Sequence, residues 1–350
     1  MAEPIRLLTA VPICDGHDSA INTINLEFIR HGIEVVYLGY HRSARDIVRA
    51  AIQEGVRAIG ISSYNGGHVE FFTEIIALLK KQHAAHIGVF GGGGGTITKA
   101  DAEILRRKGV DRIFFAGEPL AEIVGWVRKH YRTPRSTRAL AIPPVTSHQS
   151  PVTSRTIGIT GPGGAGKTTL IDELVLRWLK TQPEARIAIL SHDPSITGKG
   201  ALLGDRATMI HSQDDRVFMR SLATHGRAGG LSPDTARWLR AMKGGGFDVV
   251  FVETVGIGQE ALPFRRGLVD KSIFVMGSDY GSRLQLQKIV MLDAADIVVV
   301  NKGDLAGAAT AVAEIEQRLA ANKRGQRIIA TVAKRHRDAG VDQLFEEVRK

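Results

Sequence analysis

Three stretches of this chain carry residue types and spacings suited to chemistry. The first, "CDGHDSAIN" at 14–22, follows the apolar run "IRLLTAV" and sets Asp15, His17 and Asp18 within four positions at the lip of a predicted strand. A carboxylate that takes one ring N–H of an imidazole fixes its tautomer and makes the other nitrogen a better base or ligand. The second, "GPGGAGKT" at 161–168, fits G-x-x-x-x-G-K-[ST] between the strand "TIGIT" and the helix "TLIDELVLRWL". Gly161, Gly163, Gly164, Ala165 and Gly166 let backbone N–H groups turn onto phosphate oxygens. Lys167 reaches the β and γ phosphates as the catalytic charge, Thr168 offers a hydroxyl to Mg²⁺, and Thr169 counts with the nucleotide-binding residues. The third, "VVVNKGD", ends a strand in Asn301, Lys302 and Asp304. Asp304 suits the N1–H and 2-amino donors of guanine, a pair adenine lacks, and Lys302 would lie along the base plane.

Further groups fit around the same phosphates. "VVFVETVGIGQ" (249–259) ends a buried run in Glu253, a carboxylate able to hold Mg²⁺ through water, and Gly256 would let a backbone N–H approach the γ-phosphate. "SHDPSITGKGALLGDR" (191–206) supplies Asp193 and Asp205 as further magnesium candidates around a glycine-containing loop. For both, a plain turn carboxylate is the bland alternative. Gln259 is a candidate for positioning the attacking water, with structural capping as the competing role. In the switch-like loop "RSLATHGRAGG" (220–230), Arg220 or Arg227 would stabilise phosphate charge or be a surface residue.

The elements that must position these groups come from hydrophobic patterning. Short apolar runs at Ile5–Val11, Ile33–Leu38, Ala58–Ile61, Ile87–Phe90 and Arg112–Phe115 alternate with amphipathic segments such as "VEFFTEIIALLKKQ". Such alternation predicts an open parallel sheet flanked by helices, with ligands beyond the carboxyl ends of its strands. "YRTPRSTRALAIPPVTSHQSPVTSR", with four prolines and no helical period, reads as a linker. After it "TIGIT", "RIAIL", "FDVVFVE", "KSIFVM", "DIVVV" and "RIIAT" predict a second parallel sheet. The expected division is 1–135, a linker at 136–155, and 156–350.

Composition excludes several classes. The chain has 350 residues, a net charge of +10 and one cysteine, Cys14, so no internal disulfide framework exists. Its basic residues are scattered rather than clustered among aromatics, which argues against nucleic acid as a partner. No apolar stretch reaches membrane-spanning length and no signal-peptide layout opens the chain, so a cytoplasmic protein is expected.

Two resemblances give these motifs a shared meaning. The phosphate loop, "NKGD", "ETVGIGQ" and "DPS…LGDR" resemble the G-protein chaperones of cobalamin-dependent acyl-CoA mutases over 155–350. "ATVA" (330–333) is similar to their last motif, where the backbone at Val332 and Ala333 would meet the guanine O6. Asp15-Gly16-His17, Ser62-Ser63-Tyr64 and Gly91-Gly92, with 44 and 26 residues intervening, resemble the D-x-H, S-x-L and G-G pattern of cobalamin-binding domains. Ala20 and Tyr64 depart from that pattern, which has glycine and leucine there.

The resemblance implies a flavodoxin-like, Rossmann-type cobalamin domain followed by a P-loop GTPase domain with a mostly parallel sheet. His17 would be the lower cobalt ligand supported by Asp15, Ser62 would bond a nitrogen of the displaced tail, and Gly91 and Gly92 would let the tail pass close to backbone. His68 would start a helix or touch the corrin. One chain with both modules resembles the N-terminal part of the fused isobutyryl-CoA mutase family. That implies adenosylcobalamin, Mg²⁺ and GTP or GDP as cofactors. It also implies an acyl-CoA-binding barrel in the same longer chain or a separate subunit, and a homo-oligomer. A cobalamin-responsive GTPase signalling module without mutase chemistry is the alternative. A metallochaperone-like GTPase with an unrelated flavodoxin-like domain is a third reading.

Overall fold

The computed structural model describes residues 4–13, 15–17, 19–133, 154–196, 198–256, 262–264, 267–278, 289–322 and 325–350. In chain order the first elements are β1 (Arg6–Ala10), α1 (Ser19–Arg30), β2 (Glu34–Tyr37), α2 (Ala44–Gln53), β3 (Ala58–Ser62), α3 (His68–Lys81), β4 (Gly88–Gly92), α4 (Lys99–Lys108), β5 (Arg112–Phe114) and α5 (Leu120–His130). There follow β6 (Arg155–Thr160), α6 (Lys167–Thr181), β7 (Ile187–Asp193), β8 (Ala201–Leu203), β9 (Val217–Ala223), α7 (Thr235–Gly244), β10 (Val249–Glu253) and β11 (Lys271–Gly277). The chain closes with α8 (Val290–Ala294), β12 (Ile297–Asn301), α9 (Ala308–Asn322), β13 (Arg327–Ala330) and α10 (Ala339–Arg349).

These elements form two compact units. One takes in Met1–Ile142 with Ser195–Ala207, the other Pro143–Pro194 with Thr208–Lys350. Ser195–Ala207 lies in sequence inside the expected second domain yet packs with the first unit. The expected linker falls almost wholly on residues outside those described.

In the first unit the strand order is β5-β4-β3-β1-β2-β8, every pair parallel. The order reverses between β1 and β3, so a crevice opens beyond their carboxyl ends. Leu7, Val35 and Ala58 meet Phe28 of α1 and Val124 and Val127 of α5 in one apolar layer. Helix α1 buries a single stripe, Ile21, Asn25 and Phe28, at the spacing of one helical face. Thr98 and Asp101 close α4 with a reciprocal capping box.

The sixth strand, β8, is the late arrival. Glu34, Val35 and Val36 face Ala201, Leu202 and Leu203 in register. Gly200 donates its N–H to Ile29 O, and a side chain there would collide with Ile33 O, so only glycine permits the approach. Arg206, almost fully buried, donates to Glu54 Oε1 at 3.2 Å and Gln53 Oε1 at 2.8 Å. Arg6 holds the same Glu54 at 3.5 Å and Glu34 at 2.6 Å.

In the second unit the order is β13-β12-β11-β6-β10-β7-β9, again all parallel. Its central strands are apolar on both faces, as helices on both sides require. The six runs expected here all form strands, and β9 is an addition. It corrects the reading of 220–230 as a loop throughout: Arg220 lies in β9, with its guanidinium 4.4 Å above the Trp238 ring. That stacking lets a cationic residue sit in a buried strand.

Candidate functional site

On the lip of β1, Asp15 is buried and His17 is exposed. Asp15 Oδ1 accepts the His17 backbone N–H at 3.0 Å and pairs with its ring Nδ1 at 2.8 Å, while Oδ2 accepts the Tyr64 N–H. Burial alone would raise the Asp15 carboxyl, but the His17 and Tyr64 hydrogen bonds outweigh it and hold it below the ordinary value. The carboxylate occupies Nδ1, and Nε2 is the other ring nitrogen of a side chain that is 71% exposed. Tyr64 leans on the imidazole, ring centroids 4.9 Å apart.

Ser62 ends β3 opposite Gly92 of β4, next to the Tyr64 that binds Asp15. Neighbouring Ser63 is fully buried, and its hydroxyl has no partner among the described residues. The glycine run is sterically required: side chains at Gly91, Gly93 and Gly94 would strike Phe72, Ser63 O and the Tyr64 ring, and one at Gly92 would lie 2.9 Å from Phe114 O. His68 is the first residue of α3, buried, with Nδ1 3.1 Å from Asn65 O and Nε2 3.3 Å from Asp101. It therefore serves the helix start. An imidazole supported by a carboxylate and an unpartnered buried hydroxyl at the carboxyl ends of β1 and β3 fit a corrinoid.

The phosphate loop joins β6 to α6. Gly166 adopts φ 88°, and a side chain there would strike Asn301 Nδ2. Lys167 Nζ donates to Gly161 O and Pro162 O, each at 3.0 Å, so its ammonium is held over the loop where phosphate oxygens would sit. Thr168 Oγ1 donates to Glu253 Oε1 at 2.7 Å. Hydroxyl and carboxylate oxygens are the hard donors Mg²⁺ takes alongside phosphates and water. A methyl on Gly256 would lie 2.6 Å from Gly163 N, which places this backbone directly on the loop.

Asp193 ends β7 in the same unit, whereas Asp205 opens a 3-10 turn, Asp205–Ala207, in the first unit. Gln259 lies outside the described residues. Among the described residues no group of three or more His, Cys, Asp or Glu forms a metal cage by itself.

The residues expected to recognise the base sit at and beyond the end of β12. Asn301, almost fully buried, donates to Ala165 O at 2.9 Å and accepts from Thr331 Oγ1 at 3.1 Å and Ala333 N at 3.0 Å. It thereby ties the phosphate loop to the strand ends that carry Lys302, Asp304, Val332 and Ala333. Lys302 takes a left-handed φ of 60°. Lys334 binds Asp304 Oδ2 at 2.6 Å and holds that carboxyl below its ordinary value.

Two participants escaped sequence reasoning. Lys334 directly follows the Val332-Ala333 pair, and its charge was the one available signal. His192 of β7 is fully buried between Glu253 O at 2.7 Å and Thr235 Oγ1 at 2.8 Å, and burial lowers its pKa to about 4. As a neutral ring it props the backbone of Glu253.

The geometry defines a class: an α/β protein in which a P-loop nucleotide unit is joined to a parallel-sheet unit with a carboxylate-supported histidine at its lip. Family models narrow it. Residues 5–124 match the B12 binding domain, and 135–350 match the methylmalonyl Co-A mutase-associated GTPase MeaB. The chain belongs to the MeaB family of mutase-associated GTPases and carries a B12 binding domain ahead of it. It is 35% identical to the fused isobutyryl-CoA mutase of Geobacillus kaustophilus over 97% of this chain and 36% of that one. With the fused isobutyryl-CoA mutase of Nocardia farcinica it is 36% identical over 99% of this chain and 36% of that one. A putative GTPase of Pyrococcus horikoshii is 43% identical over 43% of this chain and 48% of its own. The chain thus spans about a third of the length of the fused relatives it matches. No helix among the described residues is long and apolar enough to cross a membrane.

Proposed function

We propose that this chain is the cofactor-carrying and G-protein-chaperone portion of an adenosylcobalamin-dependent acyl-CoA mutase of the isobutyryl-CoA/butyryl-CoA type. In this reading GTP binding and hydrolysis gate cofactor loading or repair. The observation that carries it is the pairing of the Asp15–His17 dyad with the Lys167, Thr168–Glu253 and Asn301–Asp304 groups in one chain. The near full-length likeness to the fused mutases supports it. The acyl-CoA pocket belongs to a barrel in the same longer chain or a separate subunit of a cytoplasmic homo-oligomer.

Adenosylcobalamin supplies radical chemistry through homolysis of its cobalt–carbon bond. The chain's own residues do the rest. His17 Nε2 would ligate the cobalt, with Asp15, paired to Nδ1, keeping the ring oriented. Ser62 would bond the tail beside Gly92, its partner on β4, whereas the space at Gly91 is taken by Phe72. Thr168, Glu253 and Asp193, all in the second unit, would hold Mg²⁺ with the phosphates, Lys167 would neutralise the β and γ oxygens, and Gln259 would orient the attacking water; Asp205, in the first unit, is left out of this set.

Paramagnetic resonance of the cob(II)alamin form with ¹⁵N-labelled histidine tests the cofactor half. Nitrogen hyperfine coupling that follows the protein label, and vanishes in His17→Ala, is expected. Coupling indifferent to the label would mean the cofactor keeps its own base and would refute the assignment.

A further inference from the structure

The loop that leaves β9 is stitched to the nucleotide site at both ends, within the second unit. Thr224 donates its N–H to Asp193 O at 3.1 Å, and Gly230 accepts the Val255 N–H at 3.1 Å. Asp193 and Glu253 end β7 and β10. The segment 224–230 therefore crosses from the outer strand β9 past β7 to β10, which lies beside β6 and its phosphate loop. Gly256, next to Val255, abuts Gly163 N of that loop. The far end of the segment is thus one hydrogen bond and one residue from the backbone expected at the γ-phosphate.

Between the two anchors the chain reads "THGRAGG". The Arg227 N–H donates to Thr224 O at 3.0 Å and closes a turn, and the residue is exposed. Arg220 lies over the Trp238 ring, and Arg216 is held by both oxygens of Asp214. Arg227, by contrast, makes no side-chain hydrogen bond or ion pair among the described residues. Gly226, Gly229 and Gly230 take left-handed φ of 73°, 93° and 73°. Glycines on both sides of the arginine let it pivot while the anchors stay in place.

GTP hydrolysis forms a bond from a water oxygen to the γ-phosphorus and breaks the bond from that phosphorus to the β–γ bridging oxygen. The electron pair of the broken bond leaves with GDP. One water proton stays on the inorganic phosphate and the other passes to solvent. In the transition state negative charge spreads over the equatorial oxygens of the transferring group. Lys167 and a magnesium ion at Thr168 and Glu253 would meet that charge from the phosphate loop and from β10. From the β7 side it is left to the loop that carries Arg227. We propose that Arg227 is a catalytic arginine supplied in cis, pivoting on its flanking glycines to set its fork of N–H donors on the γ-phosphate oxygens as GTP is cleaved. The proposal rests on the GTPase reading of the second unit and adds a group that stabilises its transition state.

The test is single-turnover GTP hydrolysis by the full chain, with affinities for GDP and for GDP with aluminium fluoride measured alongside. Arg227→Ala should slow hydrolysis about a thousandfold, the low end of what such an arginine contributes. It should also lose binding of GDP with aluminium fluoride, which copies the flat transferring group, and keep the parent's affinity for GDP alone. Arg227→Lys should recover only part of the rate, because a point charge lacks the fork. Arg237→Ala, which removes an exposed arginine of α7, should hydrolyse GTP at the parent rate. Hydrolysis by Arg227→Ala at the parent rate would overturn the proposal. So would a parallel loss of affinity for GDP and for GDP with aluminium fluoride, since the arginine would then serve the ground state or the fold. A parent chain that hydrolyses no GTP would instead overturn the GTPase reading on which the proposal stands.

Discussion

Asn301→Ala puts the wiring of the nucleotide site to a quantitative test. In guanine-binding loops attention falls on the aspartate, yet Asn301 here makes three hydrogen bonds within the protein from an almost fully buried position. Truncation strands Ala165 O on the phosphate loop, the Thr331 hydroxyl and the Ala333 N–H. At about 1 kcal/mol net per bond the loss is about 3 kcal/mol, and dry, unpaired groups push it upward. For a unit of this size each kcal/mol moves the midpoint by about 2–4 °C, so a fall of about 6–12 °C is expected. The assay is thermal unfolding with and without saturating GDP. Nucleotide binds only the folded second unit, so the transition that GDP raises is the one to read. Because the phosphate loop and the base loop lose their common tie, GDP affinity should fall in the same variant. A midpoint within about 2 °C of the parent, together with unchanged GDP affinity, would show that the three contacts carry no weight.

Lys167→Ala should abolish GTP hydrolysis and leave corrinoid binding intact, because the charge it removes faces phosphates in the other unit; unchanged turnover would sink the phosphate-loop assignment. Asp304→Asn should cost roughly 1.5–3 kcal/mol for each charge-assisted bond to guanine and narrow the preference for GTP over ATP in competition binding. A parent chain that already binds both nucleotides equally would contradict the premise. His192 has a folded pKa of about 4 against an ordinary 6.5. The unfolded chain therefore takes up the proton first, and stability falls as pH drops through 6.5 toward 4. Between pH 7 and 5 this one group should cost about 2 kcal/mol, seen as the difference in urea stability between parent and His192→Gln. Parallel pH profiles for the two proteins would disprove it.

Most of the two sheets was legible because parallel strands buried on both faces are continuous apolar runs, such as "IVVV" in β12 and "VVFV" in β10. Strand β9 was not, because Arg220 and Ser221 interrupt its run. The arginine is tolerated through its ring contact with Trp238, which lies 18 residues away and leaves no local trace. Strand β8 is three residues long with Leu202 exposed, and its partner strand lies more than 160 residues earlier. The Asp15–His17 dyad was readable because both members fall within three positions. The Lys334–Asp304 pair, the His192 prop and the three bonds of Asn301 join side chains brought together only by folding.

The capture of Ala201–Leu203 by the first sheet means that the first unit is built from two separate stretches of chain. The chain leaves it, enters the second, returns for thirteen residues, Ser195–Ala207, and departs again. A fragment ending at residue 133 would carry a raw β2 edge, whose open Val35 and Val36 backbone invites pairing between copies. It would also leave the fully buried Glu54 without Arg206. The second unit cut out alone would keep an apolar strand with no sheet to join. Modularity here is a property of function and not of the polypeptide. A shuffled or transplanted G-protein unit must bring an edge strand fitted to the corrinoid unit it is joined to, so the two can be exchanged between relatives only as a matched pair.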